Sequence, residues 1–153
     1  MSTISKDDFI TSICDALQYI SYYHPQDFIR ALHGAYQREQ SPAARDAMAQ
    51  ILINSRMCAE GHRPICQDTG IVNVFVKVGM EVNWDTDSSI DDMVNAAVRR
   101  AYLDAGNPLR GSMVSDPAGE RRNTGDNTPA VIHKDIVPGN KVEITVAAKG
   151  GGS

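Results

Sequence analysis

Apolar residues recur at helical spacing through the first sixty positions of this chain. Ile10, Ile13, Cys14, Leu17 and Ile20 fall on one face and predict a first helix, with Ser5 as its cap and Asp7 and Asp8 in its first turn. His24-Pro25 interrupts it, and Pro25 suits the first turn of a second helix, along which Phe28, Leu32 and Tyr36 stand four apart. Ser41-Pro42 starts a third, with Met48, Ile51, Leu52 and Ser55 inward and an end near Gly61. The period then changes. Ile71 to Val78 is rich in β-branched residues and predicts a mostly buried strand. Asp85 to Ser89 reads as a turn, and Asp91 to Leu103 as a fourth helix through Met93, Val94, Ala97, Val98 and Tyr102, closing at Gly106-Asn107-Pro108. Arg110 to Ser115 reads as a short strand and Asp116 to Thr128 as a long surface loop. Ala130–Val137 and Lys141–Ala148 read as two strands joined by a hairpin-like turn at Pro138-Gly139-Asn140. A helical region, 1–61, followed by a strand-rich region, 62–153, predicts an α+β (mixed α/β) fold. No internal repeat or low-complexity tract breaks it.

Composition narrows the function classes. The 153 residues are 42% hydrophobic, enough for a packed core. The 15 basic and 19 acidic residues leave a net charge of −4, which argues against a general nucleic-acid binder. No apolar run approaches the ~20 residues of a membrane span. The start, Met1 to Asp8, lacks the basic and apolar segments of a signal peptide, so a cytoplasmic location is expected. Three cysteines at irregular spacing do not make a disulfide framework.

The chemistry concentrates in Arg63-Pro64-Ile65-Cys66-Gln67-Asp68-Thr69-Gly70, where helix gives way to strand. Cysteine thiolate is the usual iron–sulfur ligand and aspartate a usual general base. Cys14 and Cys58 lie on apolar helix faces and read as small core residues; Cys66 sits among polar loop residues, where a ligand and a structural thiol are both open readings. The cysteines and His24, His33, His62 and His133 show no paired zinc spacing. Asp68-Thr69-Gly70 also suits a dimeric aspartic protease, but such sites lie in all-β surroundings, and three helices come first here. Asn123 to Pro129 reads as a turn-forming loop that positions the next strand. Arg110 suits bidentate carboxylate binding, though a surface arginine is the common case. Arg99-Arg100 and Arg121-Arg122 read as solvated. Lys149-Gly150-Gly151-Gly152-Ser153 is either a flexible tail or a glycine loop that brings backbone N–H groups to a ligand.

With these segments in view, the chain resembles the N-terminal part of class I fumarate hydratases, the oxygen-sensitive iron–sulfur enzymes, and the related L-tartrate dehydratase α subunit. The resemblance rests on residues 54–70, Asn127-Thr-Pro-Ala-Val-Ile-His133, Val137-Pro-Gly-Asn-Lys141 and Val146-Ala-Ala-Lys-Gly-Gly-Gly-Ser153, and extends over nearly the whole chain. It implies a hydro-lyase that reversibly hydrates fumarate to (S)-malate at a [4Fe–4S] cluster held by three cysteines, with the fourth iron open to substrate. It implies that Cys66 is one cluster ligand. Gln67 and Asp68 then contact a small dicarboxylate, with Asp68 as base or its activator. Arg110 binds a substrate carboxylate, and the backbone of Gly150, Gly151 and Gly152 faces the substrate. Family members build a helix-rich N-terminal domain around a sheet and usually form homodimers. The other two cluster cysteines of the family lie further along than Ser153. The sequence is therefore expected to be a fragment, with neither a stable cluster nor activity alone, completed by a C-terminal remainder or a separate β chain. The alternatives are a tartrate dehydratase α subunit and a non-catalytic interaction fragment. Strands that pair with further chain would leave an exposed edge.

Overall fold

The computed structural model describes residues 3–150. Its elements run β1 (Thr3–Ile4), α1 (Lys6–Tyr22), α2 (Gln26–Arg38), α3 (Pro42–Gly61), β2 (Ile71–Gly79), β3 (Asn83–Trp84), α4 (Ile90–Tyr102), β4 (Val114–Ser115), β5 (Arg122–Asn123), β6 (Val131–Val137) and β7 (Val142–Lys149). The class is α+β. Two compact units divide the chain: one holds residues 1–18 and 67–153, the other Tyr19–Cys66.

In the first unit, β2 is the centre of a three-stranded sheet ordered β6-β2-β7, parallel to β6 and antiparallel to β7. The expected hairpin of the last two strands is therefore wrong. They are consecutive but do not pair. The Pro138–Lys141 link passes across the end of β2, where Met80 N–H donates to Val137 O and Gly79 N–H to Lys141 O, each at 2.9 Å. The strand richest in valine takes the middle position because it buries Val72, Val74 and Val76. Each buried valine contributes about 1.5–3 kcal/mol. Ile71, Phe75 and Lys77 point the other way and are exposed, so β2 is buried on one face, not on both as its near-continuous apolar run suggested.

The rest of this core comes from Phe9, Ile13, Cys14 and Leu17 of α1 and Met93, Val94, Ala97, Val98, Ala101 and Tyr102 of α4. Gln18 Nε2 donates to Ala101 O at 2.6 Å, tying α1 to α4. Asn95 Oδ1 accepts from Ala130 N–H at 2.9 Å, tying α4 to the start of β6. Ser89 caps α4 by accepting from Asp92 N–H at 3.1 Å. Such a cap stabilises by about 1 kcal/mol. A parallel β1–β3 pair brings Ile4 beside Trp84, and no periodicity in a two-residue strand announces it. Only Val114–Ser115 of the expected strand at 110–115 pairs, with Arg122–Asn123 from the segment read as loop.

In the second unit, α2 and α3 form at the expected places. Pro25 is the N-cap of α2, not a first-turn residue. Ser41 caps α3, with Pro42 in its first turn. α2 buries no residue fully and α3 only Ser55 and Cys58. The helical period was legible, but Ile51 on the expected inner face of α3 stays exposed. His24, whose imidazole burial pushes below its ordinary value, lies 3.0 Å from Ser55 Oγ through Nδ1.

Candidate active site

In the second unit, the chain leading to Cys66 is fastened to α3. His62 ends the helix in the left-handed conformation, φ 47°, and its ring stacks on Tyr22 at 4.7 Å. Asn54 Nδ2 then donates to Ile65 O at 3.1 Å, and Ile65 N–H to Ser21 O at 2.8 Å. Cys58 Sγ lies 3.6 Å from Pro64 O, so this buried thiol holds the loop. Cys58 and Cys14 are both core residues, as read; burial pushes the Cys14 thiol up and keeps it protonated. Cys66 alone of the three is exposed.

In the first unit, Asp68, Thr69 and Gly70 lie against the end of β7. Asp68 Oδ1 accepts from Gly70 N–H at 3.1 Å, while a Cβ on Gly150 would stand 3.1 Å from Asp68 Oδ2. Gly70 adopts φ +74°, and a Cβ there would meet Lys149 C at 2.6 Å and Gly150 N at 2.8 Å. Gly70→Ala is accordingly expected to destabilise by about 2 kcal/mol or more. A thermal melt lowered by roughly 5 °C or more checks this.

The Asp68 loop is bonded to the Arg110 loop. Thr69 Oγ1 donates to Arg110 O. Tyr102 Oη, on a residue 2% exposed, donates to Thr69 O at 3.0 Å. Burial pushes the Tyr102 phenol up and Asp68 adds to the rise, against the hydrogen bonds to Thr69 and Asn127, so the group stays a donor. Asn127, 0% exposed at φ 63°, donates through Nδ2 to Gly70 O at 3.0 Å. Its Oδ1 accepts from Ser112 N–H at 2.6 Å and Met113 N–H at 3.1 Å. Beside it, burial alone would raise the Asp126 carboxyl. Bonds from the Thr128 hydroxyl and N–H and from Arg99, at 2.8 Å, outweigh burial and hold it below the usual range.

The structure thus gathers Asp68, Gly150 and the backbone of Arg110 in one unit, with the Asp68, Gln67 and Arg110 residues exposed. Cys66 closes the other unit, one residue before Gln67 in the chain. Gly151 and Gly152 lie outside the described residues. Two supporting residues escaped the sequence reading. Tyr102 was placed only as a core residue of its helix. Asn127 is read within the surface loop 116–128 and the strand-positioning run 123–129, and it opens the 127–133 segment that carries the resemblance, but its side chain was given no role, although an asparagine just before Thr-Pro in a turn-forming run is a candidate for left-handed backbone. Among the described residues no three His, Cys, Asp or Glu side chains converge as a metal site, and no helix is long and apolar enough to cross a membrane.

This arrangement sets an exposed carboxylate, a residue type used as a general base, at a glycine strand end in a loop bonded to the backbone of Arg110. Three relatives carry the comparison further. A Methanocaldococcus jannaschii protein provisionally named L(+)-tartrate dehydratase subunit alpha is 30% identical over 144 residues, covering 92% of this chain and 50% of its own. L(+)-tartrate dehydratase subunit alpha of Escherichia coli O157:H7 is 33% identical over 136 residues, 87% of this chain and 43% of its own, and that of strain K12 is 32% identical over the same span. The chain therefore spans about half the length of these curated relatives. Residues 10–153 match the family described as Fumarate hydratase (Fumerase), and with nearly the whole chain inside that match, the protein belongs to this family.

Proposed function

We propose that this chain supplies the N-terminal part of a hydro-lyase that interconverts fumarate and (S)-malate. The observation that carries the reading is the exposed Asp68 carboxylate held against Gly150, in the loop bonded to Arg110. In the dehydration direction Asp68 takes the proton from the carbon alpha to the far carboxylate, directly or through a group it activates. Arg110 pairs with a substrate carboxylate, which stabilises the charge that develops as the proton leaves. Gln67 and the backbone of Gly150, Gly151 and Gly152 orient the dicarboxylate.

The family's [4Fe–4S] cluster suits one residue here. Cys66 is exposed and fits a thiolate ligand; Cys14 and Cys58 are buried and do not. A cluster therefore takes its remaining cysteines from outside this chain, from a C-terminal remainder or a separate β chain. When bound, it supplies a Lewis-acid iron that stabilises departing hydroxide.

A tartrate dehydratase α subunit is the second reading, favoured by the names of the relatives at 30–33% identity. Assembly of this chain with a cysteine-bearing partner, followed by fumarate, (S)-malate and L-tartrate assays, separates the two. Turnover of fumarate and malate well above tartrate is expected; turnover of tartrate alone would reassign the substrate, and turnover of none would overturn the hydro-lyase reading.

A further inference from the structure

The side chains assigned to chemistry, Asp68 and Arg110, are exposed, yet the groups that hold their loops are not. Two separate bridges join these loops. The first is Thr69, whose hydroxyl donates to Arg110 O while its own carbonyl accepts from the buried Tyr102 phenol at 3.0 Å. The second is Asn127, whose amide spends its polar atoms on both sides. Nδ2 binds Gly70 O at 3.0 Å, and Oδ1 binds Ser112 and Met113 N–H at 2.6 and 3.1 Å. Asn127 is itself fixed by its neighbours, since Asp126 is paired with Arg99 of α4 and Thr124 N–H donates to Met113 O at 3.0 Å. A side chain with no exposed surface and three bonds to two loops has no solvent to turn to if either loop moves.

We infer that Thr69 and Asn127 are positioning residues that lock the Asp68 and Arg110 loops into one body, so that proton exchange and carboxylate binding keep a fixed separation. The inference rests on the roles given above to Asp68 and Arg110. It matters because a dicarboxylate places its acidic carbon and its far carboxylate a fixed distance apart. A receptor whose two halves drift would bind the anion in poses where the base misses the proton.

The coupling is tested on the 153-residue chain itself by backbone ¹⁵N relaxation of Thr69→Val, Thr69→Ser and Asn127→Asp. Thr69→Val keeps the side-chain shape at a half-buried position and removes only the hydroxyl tie, so it should fold even where Asn127→Asp does not. The expected result is raised motion across both 68–70 and 110–113 in Thr69→Val, with Thr69→Ser restoring the wild-type profile. Motion confined to residue 69, or to one loop, would overturn the coupling. In the assembly with a cysteine-bearing partner, Thr69→Val should lower kcat by roughly tenfold to a hundredfold while KM moves far less. A KM-only effect would mean that Thr69 shapes binding and does not align the base. An inactive wild-type assembly would instead overturn the functional reading, and the relaxation data then decide the coupling on their own.

Discussion

Cys66→Ser is expected to abolish both cluster binding and hydratase turnover in the assembled enzyme, with the fold of this chain unchanged. The thiol is exposed at the end of a segment held by Asn54, Cys58 and Ser21. Serine replaces a soft thiolate with a hydroxyl of similar size, while Asn54 and Ser21 still hold the segment. Loss of even an outer-shell partner typically lowers metal affinity or activity by about 10–100-fold, so loss of a ligand should exceed a hundredfold. Absorbance and EPR after anaerobic iron–sulfide reconstitution measure it. The paired control is Cys58→Ser, which should bind cluster but melt earlier, since it alters the buried contact with Pro64 O. Loss of cluster in Cys58→Ser with retention in Cys66→Ser would exchange the two assignments.

Asp68→Asn is expected to lower kcat by about 10²–10⁴-fold, the range spanned by a single general acid–base group. Asparagine keeps the shape, and its amide oxygen still accepts from Gly70 N–H, now at 3.1 Å from the carboxylate. The loop should therefore stay in place, and the substrate KM should change much less than kcat. Asp68→Glu should recover little, because the added methylene has to pass the closely packed end of β7 at Gly150. An Asp68→Asn enzyme with wild-type kcat would move the base to another residue and leave Asp68 as a binding group.

Much of the scaffold under these predictions was legible in the chain. The 3.6-residue period placed α1, α3 and α4 to within a few residues, because each carries its own apolar stripe; Ser41 announces α3 directly, while Ser89, read as the end of a turn, caps α4. The identity of β2, β6 and β7 was legible for the same local reason, whereas the two-residue strands β1, β3 and β5 are too short to carry a period. Strand pairing was not. A four-residue link rich in Pro, Gly and Asn predicts a hairpin, but β6 and β7 each pair with β2, whose valines compete best for the central position. That contest is decided across the sheet, beyond any local window. The site divides the same way. Asp68, Gln67, Arg110 and the glycines are marked by residue type in loops. Tyr102 and Asn127 are marked only by what they touch, since one looks like core and the other like surface until the 124–128 segment folds back over residues 111–113. The claim to be tested first is that this chain supplies Cys66 as a cluster ligand and Asp68 as the base of an iron–sulfur hydro-lyase.

The direct measurement is anaerobic iron–sulfide reconstitution of this chain together with a cysteine-bearing partner, read by absorbance and EPR and followed at once by fumarate hydration. The account predicts a [4Fe–4S] signal and malate formation that both require Cys66. A complex that forms malate just as well with Cys66→Ser, or that binds a full cluster without hydrating fumarate or dehydrating tartrate, would contradict it.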